Sequence, residues 1–276
     1  MVSIFTIKNH GPITVFKMGR SILGRTLYPV HSYLIGSLLV DTGARVAGRA
    51  LAGALNDYCL DTIVNTHYHE DHTGNNWLFT TRPGIKILVH PGSLPYLADP
   101  RLIGMQLYRR ITWGVPGPSL GTPIGRELKT ESHTFQVIHT PGHTRDHICL
   151  YEPSKGWLFT GDLFCSEKVT HFTPEEDFAA TMSSLAKVAA LNVDTVFCSL
   201  RGIIPGGRRA LERKMEYWDN LREQVLELRR RGFRPDQIRK ELLGSEGTLN
   251  FVSRGHFSKQ RLIDSILKTT SAENTL

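Results

Sequence analysis

Short apolar runs separated by polar residues dominate the first forty residues, and such runs are typical of β-strands. One run covers residues 13–16. Two more, residues 32–35 and 37–40, flank Gly36, so the pattern predicts a hairpin that turns at this glycine. The second strand of the hairpin runs into Asp41, which places a carboxylate at a strand end.

Strands and helices then alternate along the chain. Leu51, Leu55 and Tyr58 have helical spacing and predict a helix over residues 46–58. Pro174 is a typical first residue of another helix. Further apolar runs predict strands at residues 62–65, 86–89, 134–139, 147–151, 157–160 and 195–198. This alternation predicts the α/β fold class.

The pattern changes after Gly207, where apolar residues recur at steps of three and four. This stripe consists of Leu211, Met215, Trp218, Leu221, Val225 and Leu228. It predicts a long amphipathic helix, and Pro235 and Ser258 mark the starts of two more. We therefore expect an α/β domain over residues 1–206 and a helical carboxy-terminal extension over residues 207–276.

Residues 92–130 interrupt the alternation. This stretch is rich in proline and glycine, and aromatic, aliphatic and arginine side chains are interleaved along it. We expect a long, weakly structured connection, and such connections are often functional. Four of its residues, Tyr96, Met105, Tyr108 and Trp113, are candidates for the apolar wall of a substrate pocket, although core packing explains each of them equally well.

Composition narrows the class of protein. Hydrophobic residues make up 40% of the chain and charged residues 21%, as in an ordinary globular protein. The net charge of +7 leaves nucleic acid open as a partner, but a solvated basic face is the simpler explanation. The amino terminus shows no signal peptide, and no membrane-spanning run is present, so we expect a cytoplasmic protein. The four cysteines form no C-x-x-C pair, which excludes a zinc knuckle.

Candidate chemistry is concentrated in His67-Tyr68-His69-Glu70-Asp71-His72, directly after the predicted strand 62–65. Alternate residues of a strand share a face, so His67 and His69 can point the same way, and a turn can bring Asp71 and His72 to an adjacent point. Imidazole and carboxylate groups are the ligands that Zn²⁺ prefers. The sequence therefore predicts a metal site at this strand end.

Two further candidate ligands, His143 and Asp162, follow later predicted strands. His143 belongs to Thr140-Pro141-Gly142-His143-Thr144, and Asp162 follows Thr160-Gly161. Neither the Gly-x-Ser-x-Gly nucleophile motif nor a P-loop or dinucleotide fingerprint is present in the sequence, so these classes of enzyme are not supported.

The motif His67-x-His69-x-Asp71-His72, followed by the His143 and Asp162 motifs in that order, resembles the metallo-β-lactamase superfamily over roughly residues 13–206. The resemblance implies a four-layer αββα sandwich that carries the metals at one edge between its two sheets. It implies that His67, His69 and His143 hold one metal, that Asp71 and His72 hold a second, and that Asp162 bridges them. Asp41 resembles the early aspartate of the family, which supports the metal loop from behind.

The sequence departs from this family at Leu200, which stands where a last histidine ligand is usual. Leucine cannot bind a metal, so the second site keeps Asp71, His72, Asp162 and water. We expect a weak second metal, a replacement ligand or an inactivated variant. His147, His171 and His256 are the replacements to examine.

These features predict a zinc-dependent hydrolase in which a metal-bound hydroxide, oriented by Asp71 as a catalytic residue, attacks an ester, lactone, thioester or β-lactam. Two zinc ions are expected, with iron or manganese as alternatives. A mononuclear iron oxidoreductase of the persulfide dioxygenase type, a nuclease or phosphodiesterase, and a metal-binding variant impaired by Leu200 are the competing hypotheses. We expect a small-molecule substrate, no membrane partner and a chain that can form a homodimer.

Overall fold

A computed structural model describes residues 2–22 and 25–273 of the chain. The first seven strands form one sheet, in the order β1 to β7: β1 (Val2–His10), β2 (Ile13–Ile22), β3 (Arg25–Ile35), β4 (Leu38–Val40), β5 (Thr62–Val64), β6 (Lys86–Val89) and β7 (Thr122–Pro123). The last six form a second sheet, in the reverse order from β13 to β8: β8 (Glu127–Lys129), β9 (Thr134–His139), β10 (Ile148–Glu152), β11 (Trp157–Gly161), β12 (Thr195–Cys198) and β13 (Gly202–Pro205).

Nine α-helices lie within the described residues. They are α1 (Gly48–Ala54), α2 (Glu70–Thr73), α3 (Leu94–Ala98), α4 (Leu107–Thr112), α5 (Phe178–Ala189), α6 (Gly207–Arg230), α7 (Pro235–Leu243), α8 (Thr248–Val252) and α9 (Lys259–Glu273). The helix predicted over residues 46–58 is split, because one turn of 3₁₀-helix precedes α1 and another follows it. The hairpin strands around Gly36 are confirmed, but β3 begins earlier than the apolar run predicted.

The strand pairing in the first sheet changes from antiparallel to parallel at β4. Strands β1 to β4 pair antiparallel, whereas β4, β5, β6 and β7 pair parallel. Parallel neighbours need a crossover connection, and α1 supplies it between β4 and β5. The carboxyl ends of β4 and β5 consequently lie side by side, which brings the residues after Val40 next to those after Val64.

The two sheets face each other across a shared hydrophobic layer. Its buried members are Ile13, Val15, Tyr33, Ile35, Leu38, Val40 and Val64 from the first sheet and Leu128, Phe135, Ile148, Leu150, Phe159 and Phe197 from the second. The Tyr33 hydroxyl donates to the Cys198 carbonyl oxygen at 2.6 Å and joins the sheets directly. Separate apolar clusters pack the helices onto both outer faces. The predicted αββα sandwich is therefore confirmed.

The stretch 92–130 holds more regular structure than we predicted from the sequence. It contains α3, α4, β7 and β8 and two 3₁₀ turns, Pro91–Ser93 at its start and Pro100–Ile103. One reason is a buried ion pair, in which Arg109 Nε and Nη2 donate to the two carboxylate oxygens of Glu70 at 2.7 and 2.5 Å. Because Glu70 belongs to α2, this pair ties the stretch to the histidine cluster.

The carboxy-terminal helices cover the second sheet. The predicted stripe of α6 is confirmed, because Leu211, Trp218 and Val225 are buried against α5 and the sheet. Lys214 of the same helix is also buried, and its ammonium lies 4.5 Å from the centre of the Trp218 ring and donates to the Ser166 carbonyl oxygen at 3.3 Å. The helix therefore supports the loop that follows β11. The division at residue 206 stays a prediction.

Among the described residues, no helix combines the length and apolar character that a membrane crossing would need.

Candidate metal centre

The histidine cluster occupies a tight turn between β5 and α2. His69 has extended backbone angles and directly precedes the single turn of α2, which carries Asp71 and His72. The close packing behind this turn depends on Gly74, where a Cβ atom would collide with the Gly43 carbonyl oxygen. Because the two loops after β4 and β5 interlock in this way, the cluster has little freedom to move.

Three imidazoles converge on one point. His67 Nε2 lies 3.0 Å from His69 Nδ1, and His143 Nε2 lies 3.1 Å from the same His69 atom. His143 comes from the loop after β9, so this group joins the two sheets. These three nitrogens all lie within 4.8 Å of one another, as ligands of one metal ion must.

A second group shares His67 with the first and adds His72 and Asp162, again with all ligand atoms within 4.8 Å. His72 Nε2 lies 3.4 Å from Asp162 Oδ1, and Asp162 Oδ2 lies 3.4 Å from His143 Nε2. Asp162 thus lies between the two groups. Asp71 Oδ2 is farther out, 3.9 Å from His72 Nε2, and lines the adjoining cavity.

Carboxylates behind the imidazoles orient them. His72 Nδ1 lies 2.7 Å from Asp41 Oδ2, which is the position predicted for this aspartate. His143 Nδ1 lies 3.1 Å from Glu176 Oε1, and His69 Nε2 lies 3.1 Å from Glu175 Oε2. A carboxylate on the outer nitrogen holds the tautomer and direction that a metal-ligating histidine needs. The sequence predicted a helix start at Pro174, but α5 begins only at Phe178, where the Asp177 side chain caps it by accepting from the Ala180 amide. Glu175 and Glu176 lie before this helix, and their part in the site was missed.

The electrostatics of the centre fit a bound cation. Burial, with the neighbouring imidazoles, lowers the pKa of His67 well below its usual value, so the ring is neutral as a ligand requires. Burial works to lower the pKa of His72 as well, but Asp41, Asp162 and Asp71 raise it well above the ordinary value. Without metal this histidine carries a proton, and binding of a cation among the same carboxylates would release it.

The nitrogen and oxygen atoms that the site offers as ligands also fit a divalent metal ion. His72 Nε2 is buried and has no hydrogen-bond partner among the described residues, although it lies at the centre of the second group. Converging nitrogen atoms that cannot satisfy one another, together with carboxylate oxygens, match the ligands of a divalent transition metal. His67, His69 and His143 would hold one ion, and His72 with Asp162 is positioned toward another.

We expect Asp41 to be essential for tight metal binding at this centre. Its carboxylate accepts from the Thr66 amide at 2.8 Å and from the Thr66 hydroxyl at 2.9 Å, in addition to contacting His72. Its φ of 59° lies in the left-handed region that non-glycine residues rarely adopt, a strain typical of functional positions. We predict that Asp41→Asn lowers metal affinity by about 10–100-fold, measured by competition with a chromogenic chelator. Unchanged affinity would contradict this role, and Asp57→Asn on the exposed surface is the control.

Leu200 lines the cavity beside the candidate ligands His143 and Asp162. Its neighbour Ser199 uses its hydroxyl to donate to Asp162 Oδ1 and to the Gly161 carbonyl oxygen. The segment in which the resemblance led us to expect a last histidine ligand therefore reaches the site through an apolar side chain and through a serine that contacts Asp162.

The three histidines proposed as replacements differ in position. The Asp162 amide donates to His147 Nε2 at 3.2 Å, so the Nδ1 proton points to the Thr140 hydroxyl at 2.9 Å. Both nitrogens of His147 are therefore engaged, and this ring supports the site from behind. His171 and His256 line the cavity, but neither belongs to the two groups of converging ligand atoms in the described residues.

A cavity of about 340 Å³ opens in front of the ligands. Tyr108 and Trp113 line it, as predicted, but Tyr96 and Met105 do not belong to its wall as described. Tyr96 instead stacks on Tyr68, with ring centroids 3.8 Å apart, and Met105 packs in the same small cluster behind the metal loop. The other apolar wall residues are Tyr28, Val169, Leu200, Leu249 and Phe257.

Comparison with known proteins agrees with this geometry. Residues 25–200 match the family model described as the metallo-beta-lactamase superfamily. A beta-lactamase-like protein 2 homolog of Drosophila melanogaster is 31% identical over 219 residues, which is 72% of this chain and 66% of that protein. An atrochrysone carboxyl ACP thioesterase of Aspergillus fumigatus is 31% identical over 149 residues, or 50% of this chain and 30% of that protein.

Among solved structures, a metallo-beta-lactamase family protein from Thermus thermophilus superposes with a TM-score of 0.66 at 22% identity, over 94% of both chains. This likeness concerns the fold. The chain spans about two thirds or less of the length of the curated relatives named above.

Proposed function

The chain belongs to the metallo-β-lactamase superfamily, and from this premise we propose that it is a zinc-dependent hydrolase of carbonyl-type bonds. The observation that carries the proposal is the convergence of His67, His69 and His143 with Asp162, at a site where all but His67 line the cavity. Imidazole-rich sites with a carboxylate favour zinc among the common divalent metals.

The metal would supply a Lewis acid that polarises a carbonyl group and lowers the pKa of water. The chain's own residues hold and orient the reactants. In the metal-free chain, burial raises the pKa of Asp71 to about 6, against the opposing effect of His72. Its carboxylate lines the cavity, where it can orient water and accept a proton from it. Glu176 and Asp41 hold the rings of His143 and His72 in position. Tyr28, Trp113 and Phe257 supply an apolar part of the cavity wall beside the candidate ligands.

We further propose that the substrate is a thioester or ester with an apolar acyl group. The aromatic side chains of Tyr28, Trp113 and Phe257 and the aliphatic side chain of Leu200 offer a wall that suits such a group. The thioesterase activity in the name of one relative supports the same class.

The test measures metal content in the purified protein together with turnover of four substrate classes: an aryl thioester, a lactone, a β-lactam and a phosphodiester. We expect zinc and a preference for the thioester. A protein that carries zinc and hydrolyses only the phosphodiester would overturn the carbonyl proposal, and one that hydrolyses none of them at any metal content would overturn the hydrolase proposal.

One observation favours a second candidate, a single-iron oxidoreductase. Leu200 offers no ligand to a second metal, and His67, His143 and Asp162 form a possible set of two histidines and one carboxylate. Asp162 Oδ2 lies 3.4 Å from His143 Nε2, and the ring centroids of His67 and His143 are 4.9 Å apart. Iron in the purified protein together with oxygen consumption on a persulfide would support this candidate, whereas zinc without oxygen consumption would exclude it.

Restoring a ligand at position 200 should strengthen the second metal. We predict that Leu200→His tightens binding of the second zinc by at least about tenfold, because an imidazole added to the three remaining donors completes a four-ligand set. Calorimetric zinc titration measures the effect. Leu200→Ala is the matched control, since it opens the same space without adding a ligand. Equal second-site affinity in both variants would show that position 200 does not reach the second metal.

A further inference from the structure

Tyr108 and His256 form a hydrogen-bonded pair across the mouth of the metal cavity. The Tyr108 hydroxyl lies 2.9 Å from His256 Nδ1, although 148 positions separate the two residues. Tyr108 lies on α4, in the stretch 92–130, and His256 lies between α8 and α9 in the carboxy-terminal extension. Both side chains line the cavity that also contains Asp71 and Asp162. The pair therefore joins two segments outside the ligand motifs directly at the site.

Both partners are neutral at physiological pH. Burial raises the pKa of the Tyr108 hydroxyl well above its ordinary value, and burial, reinforced by Arg109, lowers the pKa of His256 to about 4. A neutral phenol and a neutral imidazole carry two acidic protons between them. Their mutual hydrogen bond uses one of these protons.

The second proton has no acceptor among the described residues, because neither side chain makes another hydrogen bond there. If the hydroxyl donates to Nδ1, the free donor is Nε2–H of His256, and if Nδ1–H donates to the hydroxyl oxygen, the free donor is the Tyr108 O–H. In either arrangement the pair retains one donor for a molecule in the cavity.

Surrounding contacts keep this donor in place. The Tyr108 ring packs tilted or edge-on against Trp113, His256 and Phe257, with centroids 6.4, 5.9 and 6.1 Å apart. His256 is 7% exposed. A donor that is fixed before substrate arrives can stabilise developing negative charge without reorganisation, which is where such groups have their largest effect.

We propose that the Tyr108–His256 pair donates a hydrogen bond to the substrate, at the carbonyl oxygen or at the leaving atom on which negative charge develops during hydrolysis. This rests on the proposed function, and it assigns catalytic roles to two residues outside the metal ligands. Leu200, which lines the same cavity, is apolar and offers no hydrogen bond to those atoms. The step involves hydrogen bonding only and transfers no proton from the pair.

The test compares zinc-loaded wild type, Tyr108→Phe, His256→Ala and the double variant. For each protein, kcat and KM are measured with an aryl thioester, and the dissociation constant of benzylphosphonate, a stable tetrahedral anion, is measured by calorimetry. We expect each single variant to lower kcat by about 100-fold, the range for loss of one oxyanion donor, with little change in KM, and to weaken phosphonate binding. The double variant should cost no more than either single one, because the two residues act as a unit.

Metal content and melting temperature separate this role from a structural one. A pair that only joins α4 to the extension would lower the melting temperature and leave both kcat and phosphonate affinity at wild-type values in the variants that stay folded. Tyr217→Phe, which removes a half-buried hydroxyl on α6 outside the cavity wall, is the control.

The outcomes also separate the two proposals. Wild-type kcat and phosphonate affinity in both single variants would overturn the role of the pair and leave the hydrolase proposal intact. A wild-type protein that hydrolyses no thioester would overturn the substrate proposal, and the loss of phosphonate affinity in Tyr108→Phe would still report on the donor.

Discussion

Replacing His67 with alanine is expected to abolish metal binding at the centre and to reduce hydrolysis to the uncatalysed rate. His67 belongs to both groups of converging ligands, and its ring centroid lies 4.6 Å from that of His69, 4.0 Å from that of His72 and 4.9 Å from that of His143. Loss of this one ring therefore removes a donor from each group at once. Elemental analysis of the purified variant and thioester turnover measure the two effects.

Stability gives an independent measure of the same prediction. A ligand that binds only the folded chain stabilises it by about 4 kcal/mol at roughly 1,000 times its dissociation constant, so wild type should lose stability of this order when a chelator is added. The His67→Ala variant should show no such loss, because it has no metal to release. His10→Ala, on the exposed strand β1, is the control and should behave like wild type. Full metal content and turnover in His67→Ala would contradict the assignment of the centre.

The second prediction with a large expected effect concerns the free energy of unfolding and the ion pair between Glu70 and Arg109. Both side chains are buried, with Glu70 at 0% and Arg109 at 4% exposure, and their geometry is bidentate. We predict that Arg109→Met costs about 3–5 kcal/mol in the free energy of unfolding, because it leaves an uncompensated buried carboxylate. Urea denaturation of the metal-loaded protein measures this cost.

Two further variants make the test of this pair specific. Glu70→Gln combined with Arg109→Met removes both charges and should recover a large part of the loss, since the penalty arises from the unpaired charge. Arg101 pairs with Asp99 in the same stretch, but Arg101 is exposed, so Arg101→Met should change stability by no more than about 1 kcal/mol. Equal losses in Arg101→Met and Arg109→Met would show that burial of the pair does not determine its contribution.

The histidine motif and the amphipathic helix α6 could be predicted because the residues that define each of them lie close together in the sequence. His67, His69 and His72 follow an apolar strand at a spacing that few other structures require, and the strand order then places His143 and Asp162 at the same edge of the sandwich. The apolar stripe of α6 was equally clear, since its period alone indicates an amphipathic helix.

What the sequence did not reveal depends on contacts between distant segments. Glu176 reaches His143 across 33 positions, and Tyr108 reaches His256 across 148. Neither pairing leaves a periodic signal. Tyr96 illustrates the opposite error, because its aromatic ring suggested a pocket wall but stacks on Tyr68 behind the metal loop. The type of a residue indicates that its side chain packs against an apolar surface, but it does not indicate which surface of the folded protein that is.

The placement of ligands on both sheets has a consequence for the order of events during folding. His67 and His69 are synthesised long before His143 and Asp162, and no portion of the chain that ends before residue 143 can complete the three-histidine group. Closing such long loops is slow compared with forming a hairpin or a helix. Metal binding should accordingly occur late in folding. It would report the time at which the two sheets of the sandwich have packed together.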